Sequence, residues 1–460
     1  MNLLRIALIA LAFASLAAAQ TSNPPDVDVS AVISGYSPST PQGYTNYDAD
    51  FTADGRLAVA MVEQSTSGLP RTDKLVIALH DPSTGATRFL GAFIALNWAI
   101  EHVSLAVPPK IYSIPGSMGL HDHLRNRVYV AIGAEAPVYN SYSAGLYTQR
   151  VRAVRVISVS FTDPQAPMTL DICSPPNVGL FAVPMGAEPP RPEAQVYERG
   201  SGYDVECAFI DPRNLDAQMG HVMMVRSIDF GATMQNAFYV TGPGSAATGA
   251  LRSSKFARPS LAFDISSGRS VIAMGDTTTR CVRVAYAPAG FTTFTQVMAT
   301  GVPTLPDRYH SPRIAARAGL INVTYRVGSP TNATPQPVDW CSVNYAGARV
   351  QLPRLTARST SHADIEVRGS DAYVAILERE NTSPYTRDVA VRYSLKRNDV
   401  FQTPQPRRFD DGASNWSLLG RPAVSAVTPE GASPTRIGAL NLFTLDTFAM
   451  VLRGHVKLEL

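Results

Sequence analysis

The chain has 460 residues, of which 45% are hydrophobic and 17% are charged, and its formal net charge is +3. A chain this long and this apolar can bury a large core, which excludes global disorder. Its arginines are spread along the whole sequence without a basic stripe or cluster, so we expect no nucleic-acid partner.

The first residues predict export. A short segment with one positive charge precedes the apolar run 6–16, and Ala17-Ala18-Ala19 offers a cleavage site before Gln20. This is the layout of a secretory signal peptide, and the run is too short for a permanent membrane span. We therefore assign 1–19 to a signal peptide and expect a secreted or periplasmic protein that does not bind a membrane. The proline- and serine-rich segment 20–43 predicts an extended lead-in to a single domain over 44–460.

A recurring pattern of two short apolar runs around a glycine-containing turn predicts a series of β-hairpins. The clearest copies are the segments 49–61, 259–274, 312–325, 363–376 and 422–431. A further hairpin is expected near residue 120, and a less regular unit over 203–240. The later copies follow one another at roughly 50–60 residues, a spacing suited to a four-stranded unit.

These units predict an all-β fold, a β-propeller of six or seven four-stranded antiparallel blades. Glycine and proline interrupt every segment, and no strongly periodic helix pattern occurs. A single blade leaves both of its faces bare, whereas closing the blades into a ring buries each face against a neighbour.

Four cysteines occur, at positions 173, 207, 281 and 341. In an exported protein, one or two structural disulfides are expected, with buried free thiols as the alternative. The sequence alone does not choose among the three pairings. No C-x-x-C motif is present, which argues against a zinc ribbon.

The segment 227–234 resembles the Asp-box, or BNR repeat, of the sialidase-like propeller superfamily. Ser227, Asp229, Gly231 and Thr233 match S-x-D-x-G-x-T, and Met234 stands where an aromatic residue is usual. In this motif the Asp accepts hydrogen bonds from turn amides, and the Gly permits a positive backbone angle. The resemblance therefore implies a structural turn between two outer strands of a blade.

Sialidases also hold the carboxylate of their substrate with three arginines, the first of which lies in an R-I-P segment that opens the first blade. The corresponding segment here, 46–51, has no arginine, and 112–115 keeps only the Ile-Pro pair. The resemblance thus implies the fold, while the substrate stays open.

Polar residues nevertheless recur at the entry to each hairpin, where the innermost strands of a propeller would bring them to one funnel. We predict general acid or base roles for a histidine–carboxylate set and substrate-carboxylate binding for an arginine set with one tyrosine. The catalytic candidates are His123, His310, His362 and Asp364, and the binding candidates are Arg258, Arg313, Arg421 and Tyr309. We expect no metal and no cofactor, because His121 and His123 lack a third ligand.

Two functions remain open. The first is a carbohydrate-active hydrolase or polysaccharide lyase that acts on an acidic glycan through the funnel. The second is a non-catalytic propeller that serves as a binding or scaffold module, with a protein as its partner. A histidine bonded to a carboxylate within a tight funnel cluster favours the enzyme, and entry residues satisfied in local salt bridges favour the module.

Overall fold

The computed structural model describes about two thirds of the chain. The described residues are 27–28, 33–34, 44–52, 56–63, 73–81, 86–94, 99–108, 127–139, 147–160, 180–182, 190–199, 202–211, 219–227, 235, 237–242, 253–254, 257–304, 308–329, 335–359, 363–368, 371–382, 385–397, 400–408, 416–427, 435–445 and 450–459. Their regular structure is all β, in strands numbered β1 to β32 in chain order. Within these residues no helix is long and apolar enough to cross a membrane.

Short antiparallel meanders follow one another along the first half of the chain. The first has the order β3-β4-β5-β6, with the short β2 parallel to β6 at its edge, and the second has the order β7-β8-β9-β10. Their bounds are β2 Ile33–Ser34, β3 Tyr44–Phe51, β4 Leu57–Glu63, β5 Lys74–His80, β6 Thr87–Ile94, β7 Ala99–Ala106, β8 Arg127–Tyr139, β9 Tyr147–Ser160 and β10 Leu180–Ala182.

The next two meanders have the orders β11-β12-β14-β15 and β17-β18-β19-β20, and β13 pairs with β16 between them. Their bounds are β11 Glu193–Arg199, β12 Gly202–Ile210, β13 Met219–Gly220, β14 Val222–Ser227, β15 Phe238–Tyr239, β16 Ser253–Ser254, β17 Ser260–Asp264, β18 Arg269–Gly275, β19 Val282–Pro288 and β20 Thr295–Met298.

Two further meanders are joined into one nine-stranded sheet, because β25 pairs with both β23 and β27. The strands are β21 Tyr309–Arg317, β22 Leu320–Val327, β23 Gln336–Asn344, β24 Arg349–Gln351, β25 Thr356–Ser359, β26 Asp364–Arg368, β27 Asp371–Thr382, β28 Tyr385–Arg397 and β29 Val400–Arg408.

The last meander contains strands from both ends of the described chain. Its order is β30-β31-β32-β1, with β30 Trp416–Val427, β31 Thr435–Leu445, β32 Met450–Glu459 and β1 Val27–Asp28. The antiparallel pair of β1 and β32 joins residues that are more than 400 positions apart, with Val27 opposite Gly454.

All five of the clearest predicted hairpins are confirmed by the strand register. They are β3–β4, β17–β18, β21–β22, β26–β27 and β30–β31. The hairpin expected near residue 120 falls largely on residues 109–126, which lie outside the described part of the chain. The strand that opens the second meander is instead β7, at 99–106.

The hydrophobic core lies between successive meanders. Ile77 of the first and Val130 of the second belong to one buried cluster, and Val271 of the fourth and Val323 of the fifth belong to another. The second to fifth meanders each contribute to a buried apolar cluster on both faces. Strands such as β4 accordingly read as continuous apolar runs and are buried throughout.

The first strands of the meanders contact one another in a closed cycle. The successive contacts join β3 to β7, β7 to β11, β11 to β17, β17 to β21, β21 to β26, β26 to β30, and β30 back to β3. Side chains on these strands are consequently brought toward a common centre, although they are far apart in sequence.

The three described cysteines, at positions 207, 281 and 341, are buried thiols that form no disulfide with one another. The predicted disulfide is therefore not formed among them. Cys341 donates to the Ala299 carbonyl at 3.2 Å, and Cys281 lies 2.8 Å from the Thr279 hydroxyl. In both positions the thiol packs as a small apolar side chain with one polar contact.

Candidate active site

Four charged side chains meet among the first strands of the meanders. Asp48 lies in β3, Glu193 begins β11, Arg258 precedes β17 by two residues, and Arg313 lies in β21. Oε2 of Glu193 is 2.9 Å from Nη1 of Arg258 and 3.0 Å from Nη1 of Arg313. The same Nη1 atom of Arg258 is 3.9 Å from Oδ2 of Asp48. We call these four residues the central charge cluster.

Backbone groups of β7 complete the surroundings of the cluster. Arg258 donates from Nη2 to the Val103 carbonyl oxygen, and Oδ2 of Asp48 accepts from the Leu105 amide at 2.9 Å. Arg258 therefore contacts three first strands besides its own hairpin. Such an arrangement places two carboxyl groups and two guanidinium groups at the junction of five meanders.

A repeated hydrogen bond shows that the cluster residues occupy equivalent positions. Just as Asp48 accepts from Leu105 N, Ser104 accepts from Ala194 N at 3.1 Å and Ser260 accepts from Ile314 N at 3.0 Å. In each bond, the acceptor side chain lies on the first strand of one meander, and the donor amide lies on a first strand of a later meander. The donor amide comes directly after the residue that is equivalent to the acceptor. The equivalent position is thus filled by Asp48, Ser104, Glu193, Ser260 and Arg313.

Burial governs the protonation of Asp48. Its residue surface is 7% exposed, and this loss of solvent raises the pKa of Asp48 to about 6, against the opposing effect of Arg258. The nearby carboxylate of Glu193 raises it further. One carboxyl group of the cluster is therefore protonated in mildly acidic solution.

A histidine next to the cluster is held in its neutral form. Burial lowers the pKa of His102 well below its usual value, and the positive charges of Arg191 and Arg258 lower it further. His102 lies in β7, between Glu101 and Val103, whose carbonyl oxygen accepts from Arg258. His102 is therefore an uncharged polar side chain at neutral pH.

His310, a predicted catalytic residue, lies in β21 but bonds no carboxylate of the described residues. Its Nε2 atom is 3.0 Å from Oε1 of Gln336, and its Nδ1 atom is 2.9 Å from the Ser311 hydroxyl. Since the Gln336 amide nitrogen donates to the Ser329 carbonyl, Oε1 must accept, which makes Nε2 the protonated ring nitrogen. Burial, reinforced by Arg326, lowers the pKa of His310 to about 4.

Of the other predicted site residues, Tyr309 and Asp364 are described. The Tyr309 ring lies 5.0 Å from that of Tyr325, and Asp364 begins β26, opposite Ala375. His123 and His362 lie outside the described residues, and of Arg421 only its place in β30 is described. Arg258 and Arg313 are thus the predicted residues that the structure brings together.

The Asp-box segment follows β14. Ser227 is the last residue of that strand and is fully buried, and it pairs with Val205. The Gln235 amide donates to the Arg226 carbonyl at 2.7 Å, beyond the segment. Asp229, Gly231 and Thr233 lie outside the described residues.

Glu193 was not among the predicted site residues, although it binds both arginines. The irregular third unit was expected to begin at residue 203, which is in β12, whereas the meander begins with β11. One signal was present: Pro192-Glu193-Ala194 repeats the pattern of Pro259-Ser260-Leu261 and Pro312-Arg313-Ile314. Aligning these triplets identifies Glu193 as the counterpart of Arg313.

The described residues contain no group of three His, Cys, Asp or Glu side chains that could hold a metal ion. Acid–base chemistry by the carboxyl groups and charge stabilisation by the arginines are what the cluster itself offers.

No protein-family model and no curated protein matches the sequence. Among solved structures, the NanB sialidase of Streptococcus pneumoniae is similar at 9% identity and a TM-score of 0.44, over 92% of this chain and 69% of that one. A protein of unknown function from Dyadobacter fermentans is similar at 10% identity and a TM-score of 0.46, over 95% and 98% of the two chains.

An α-L-arabinanase from Penicillium chrysogenum is similar at 12% identity and a TM-score of 0.40, over 56% of this chain and 77% of that one. Sialidases, which the sequence resembles in its Asp-box segment, are thus among the structurally similar proteins. A similarity of this size does not assign an activity or a substrate to the chain.

Proposed function

We propose that this chain is an exported, seven-bladed β-propeller that cleaves a glycan at the central charge cluster. The blade count is supported by the cycle of seven first strands, each of which opens a meander. Pairing of β1, in the segment 20–43, with β32 in the last meander would close such a ring, because it ties that segment to the last described strand. Export rests on the sequence of residues 1–19.

The activity is supported by the two carboxyl groups that share Nη1 of Arg258. Glycoside hydrolysis usually needs one protonated and one ionised carboxyl group near the scissile bond. Asp48, with its pKa raised to about 6, is suited to the acid, and Glu193, which is paired with two arginines, is placed to be the second carboxyl group.

The proposed reaction follows from these assignments. Asp48 donates its proton to the glycosidic oxygen as the bond from that oxygen to the anomeric carbon breaks. A water molecule supplies the new bond to the anomeric carbon, and its proton passes to Glu193. The guanidinium groups of Arg258 and Arg313 hold Glu193 in place and balance the negative charge of the site.

A second function, the non-catalytic binding module, is favoured by one observation. Both arginines are already paired with Glu193, and the four side chains of the cluster are at most 16% exposed. In this alternative the cluster is a clamp that holds five meanders together, and ligands bind elsewhere on the surface.

Screening the secreted protein against acidic and neutral polysaccharides distinguishes the two functions. Release of reducing ends, lost in Asp48→Asn and kept in Asp339→Asn, is expected for the enzyme. Asp339 is a matched control, because its carboxylate pairs with the half-exposed Arg354 on the surface. Thermal stabilisation by a glycan without any product, unchanged in Asp48→Asn, would establish the binding module instead.

A further inference from the structure

Arg326, in β22, is a buried cation without a carboxylate partner among the described residues. It is 7% exposed, and its Nη2 atom makes one long hydrogen bond, at 3.4 Å, to the Ser359 carbonyl oxygen. Its Nε atom is buried and has no hydrogen-bond partner. Arg258 and Arg313, by contrast, are both paired with the carboxylate of Glu193.

A second buried polar group without a hydrogen-bond partner lies on the same face of β22. Thr324 is fully buried, and its hydroxyl has no partner. Residues two apart on a strand project to the same side, so the Thr324 hydroxyl and the Arg326 guanidinium face the same space. Burying an unpaired charge and an unpaired hydroxyl is costly, so an anion that accepts from both groups would lower the free energy of this region.

The strand register relates this pair to the central charge cluster. Arg313 of β21 is opposite Thr324, and His310 is opposite Arg326. Arg326 therefore lies two residues, about 7 Å, beyond the level of Arg313, toward the end of the sheet where β21 begins. A substrate that reaches the cluster from that end would pass this level first.

The free edge of the guanidinium indicates what it would bind. Nε and Nη2 form one side of the planar group, and two parallel N–H donors on one side match the two oxygens of an oxyanion. His310 is neutral and bonded to Ser311 and Gln336, so it adds no competing charge. Burial also lowers the pKa of Arg326 to about 10, and a bound anion would reverse that effect.

We propose that Arg326 and Thr324 form a receptor for the oxyanion, carboxylate or sulfate, of an acidic glycan. This inference rests on the proposed function, since it names the substrate class of the same funnel. It assigns recognition of the acidic group to Arg326, which pairs with no carboxylate of the central charge cluster, and not to Arg258 or Arg313.

The test compares sulfate and chloride, at matched ionic strength, as ligands of the full chain in thermal-shift and calorimetric titrations. The variants are Arg326→Gln, Thr324→Val and the control Arg317→Gln, an exposed arginine at the other end of β21. Sulfate stabilises most proteins weakly by exclusion, so the difference between variants is what counts. We expect sulfate to bind about tenfold or more weakly to Arg326→Gln, and normally to Arg317→Gln.

Thr324→Val keeps the test valid if Arg326→Gln does not fold. It removes a hydroxyl that has no partner, so the variant is expected to fold and to bind sulfate more weakly than wild type. Equal sulfate binding by wild type and Thr324→Val, with equal binding by any folded Arg326→Gln, would overturn the inference. Comparing the binding of glucuronate with that of glucose then tests recognition of a carboxylate. Comparing sulfated with unsulfated sugars tests recognition of a sulfate.

Failure of the inference is distinguishable from failure of the proposed function. If neutral and acidic glycans are cleaved equally well, and cleavage survives in Thr324→Val, the inference is wrong and the activity stands. If no glycan is cleaved but sulfate binding depends on Arg326, the anion receptor stands and the catalytic proposal is wrong.

Discussion

Glu193 and Arg258 form an ion pair at 2.9 Å that joins the first strand of one meander to the entry of the next. Arg313 reaches the same carboxylate oxygen from a third meander at 3.0 Å. The two arginines are 11% and 5% exposed, and Glu193 is the nearest carboxylate to both, with Asp48 farther from Arg258 at 3.9 Å. The ion pairs are therefore structural whatever chemistry occurs beside them.

Replacing the shared carboxylate should destabilise the fold. Glu193→Gln keeps the shape of the side chain but leaves the buried Arg313 without its carboxylate and Arg258 with only the more distant Asp48, so we expect a loss of about 3 kcal/mol in the free energy of unfolding. Urea denaturation measures the loss. Asp339→Asn, which breaks a surface pair, should cost less than about 1 kcal/mol, and equal costs for the two variants would contradict the structural role of Glu193.

The rate of glycan cleavage should fall as the pH rises through about 6. Burial raises the pKa of Asp48 to about 6, so the protonated acid is present below that pH and is lost above it. The profile of kcat/KM against pH measures this effect. A profile that stays flat between about pH 5 and pH 8 would remove Asp48 from the acid role.

The fully buried pair of Glu206 and Arg226 should show strong non-additivity. The two side chains are 2.6 Å apart, and Glu206 also accepts from Gln195, Tyr197 and Ser270. Glu206→Gln leaves Arg226 buried and unpaired, at an expected cost of about 3–5 kcal/mol. Replacing both residues by methionine should cost less than the sum of the single replacements, as a double-mutant cycle in urea measures; additive costs would argue against a direct interaction.

Gly133 should not tolerate a side chain. A Cβ atom there would lie 1.8 Å from the Pro190 carbonyl oxygen and 2.9 Å from Cδ of Pro192, so backbone would have to move. We expect Gly133→Ala to cost about 3 kcal/mol. Gly268→Ala is the comparison, because that turn has a φ of +61° and open space, and its cost should be about 1 kcal/mol. The same ranking is expected for the thermal midpoints, and the reverse order would contradict the close approach at Gly133.

His310 should make the fold less stable in acid. Its pKa falls from 6.5 to about 4 on burial, so between these values the unfolded chain binds a proton that the folded chain does not. Stability is then lost as the pH falls through this window, by up to about 1.4 kcal/mol per pH unit. Urea unfolding at several pH values should show a shallower acid loss for His310→Gln than for wild type, and parallel curves would contradict the buried neutral state.

The hairpins were predictable because they depend on local features, alternating or apolar runs around a glycine turn. The turn of β17–β18 is one case, since Gly268 has the positive φ that such a turn requires. Predicting which side chains meet at the site required the position of each residue within the repeat. Arg258 and Arg313 were found because proline marks the start of each hairpin, whereas Glu193 was missed because the third unit was started one strand late.

The hydrogen-bond and ion-pair partners of individual side chains could not be predicted from the sequence. His310 and Arg313 are three residues apart on β21, but a bulge between them breaks the regular pairing, and Ser311 takes a φ of +51°. His310 is therefore bonded to Ser311 and Gln336, while Arg313 reaches Glu193. Neither the bulge nor the unpaired state of Arg326 follows from composition or spacing.

The most direct test of catalysis at the central charge cluster is the rate of reducing-end release from an acidic polysaccharide by wild type and Asp48→Asn, with folding of both verified by thermal unfolding. We expect cleavage by wild type and a loss of at least about 100-fold in kcat for the variant, because a general acid is removed. Cleavage at the wild-type rate by a folded Asp48→Asn would contradict the assignment of the central charge cluster as the catalytic site.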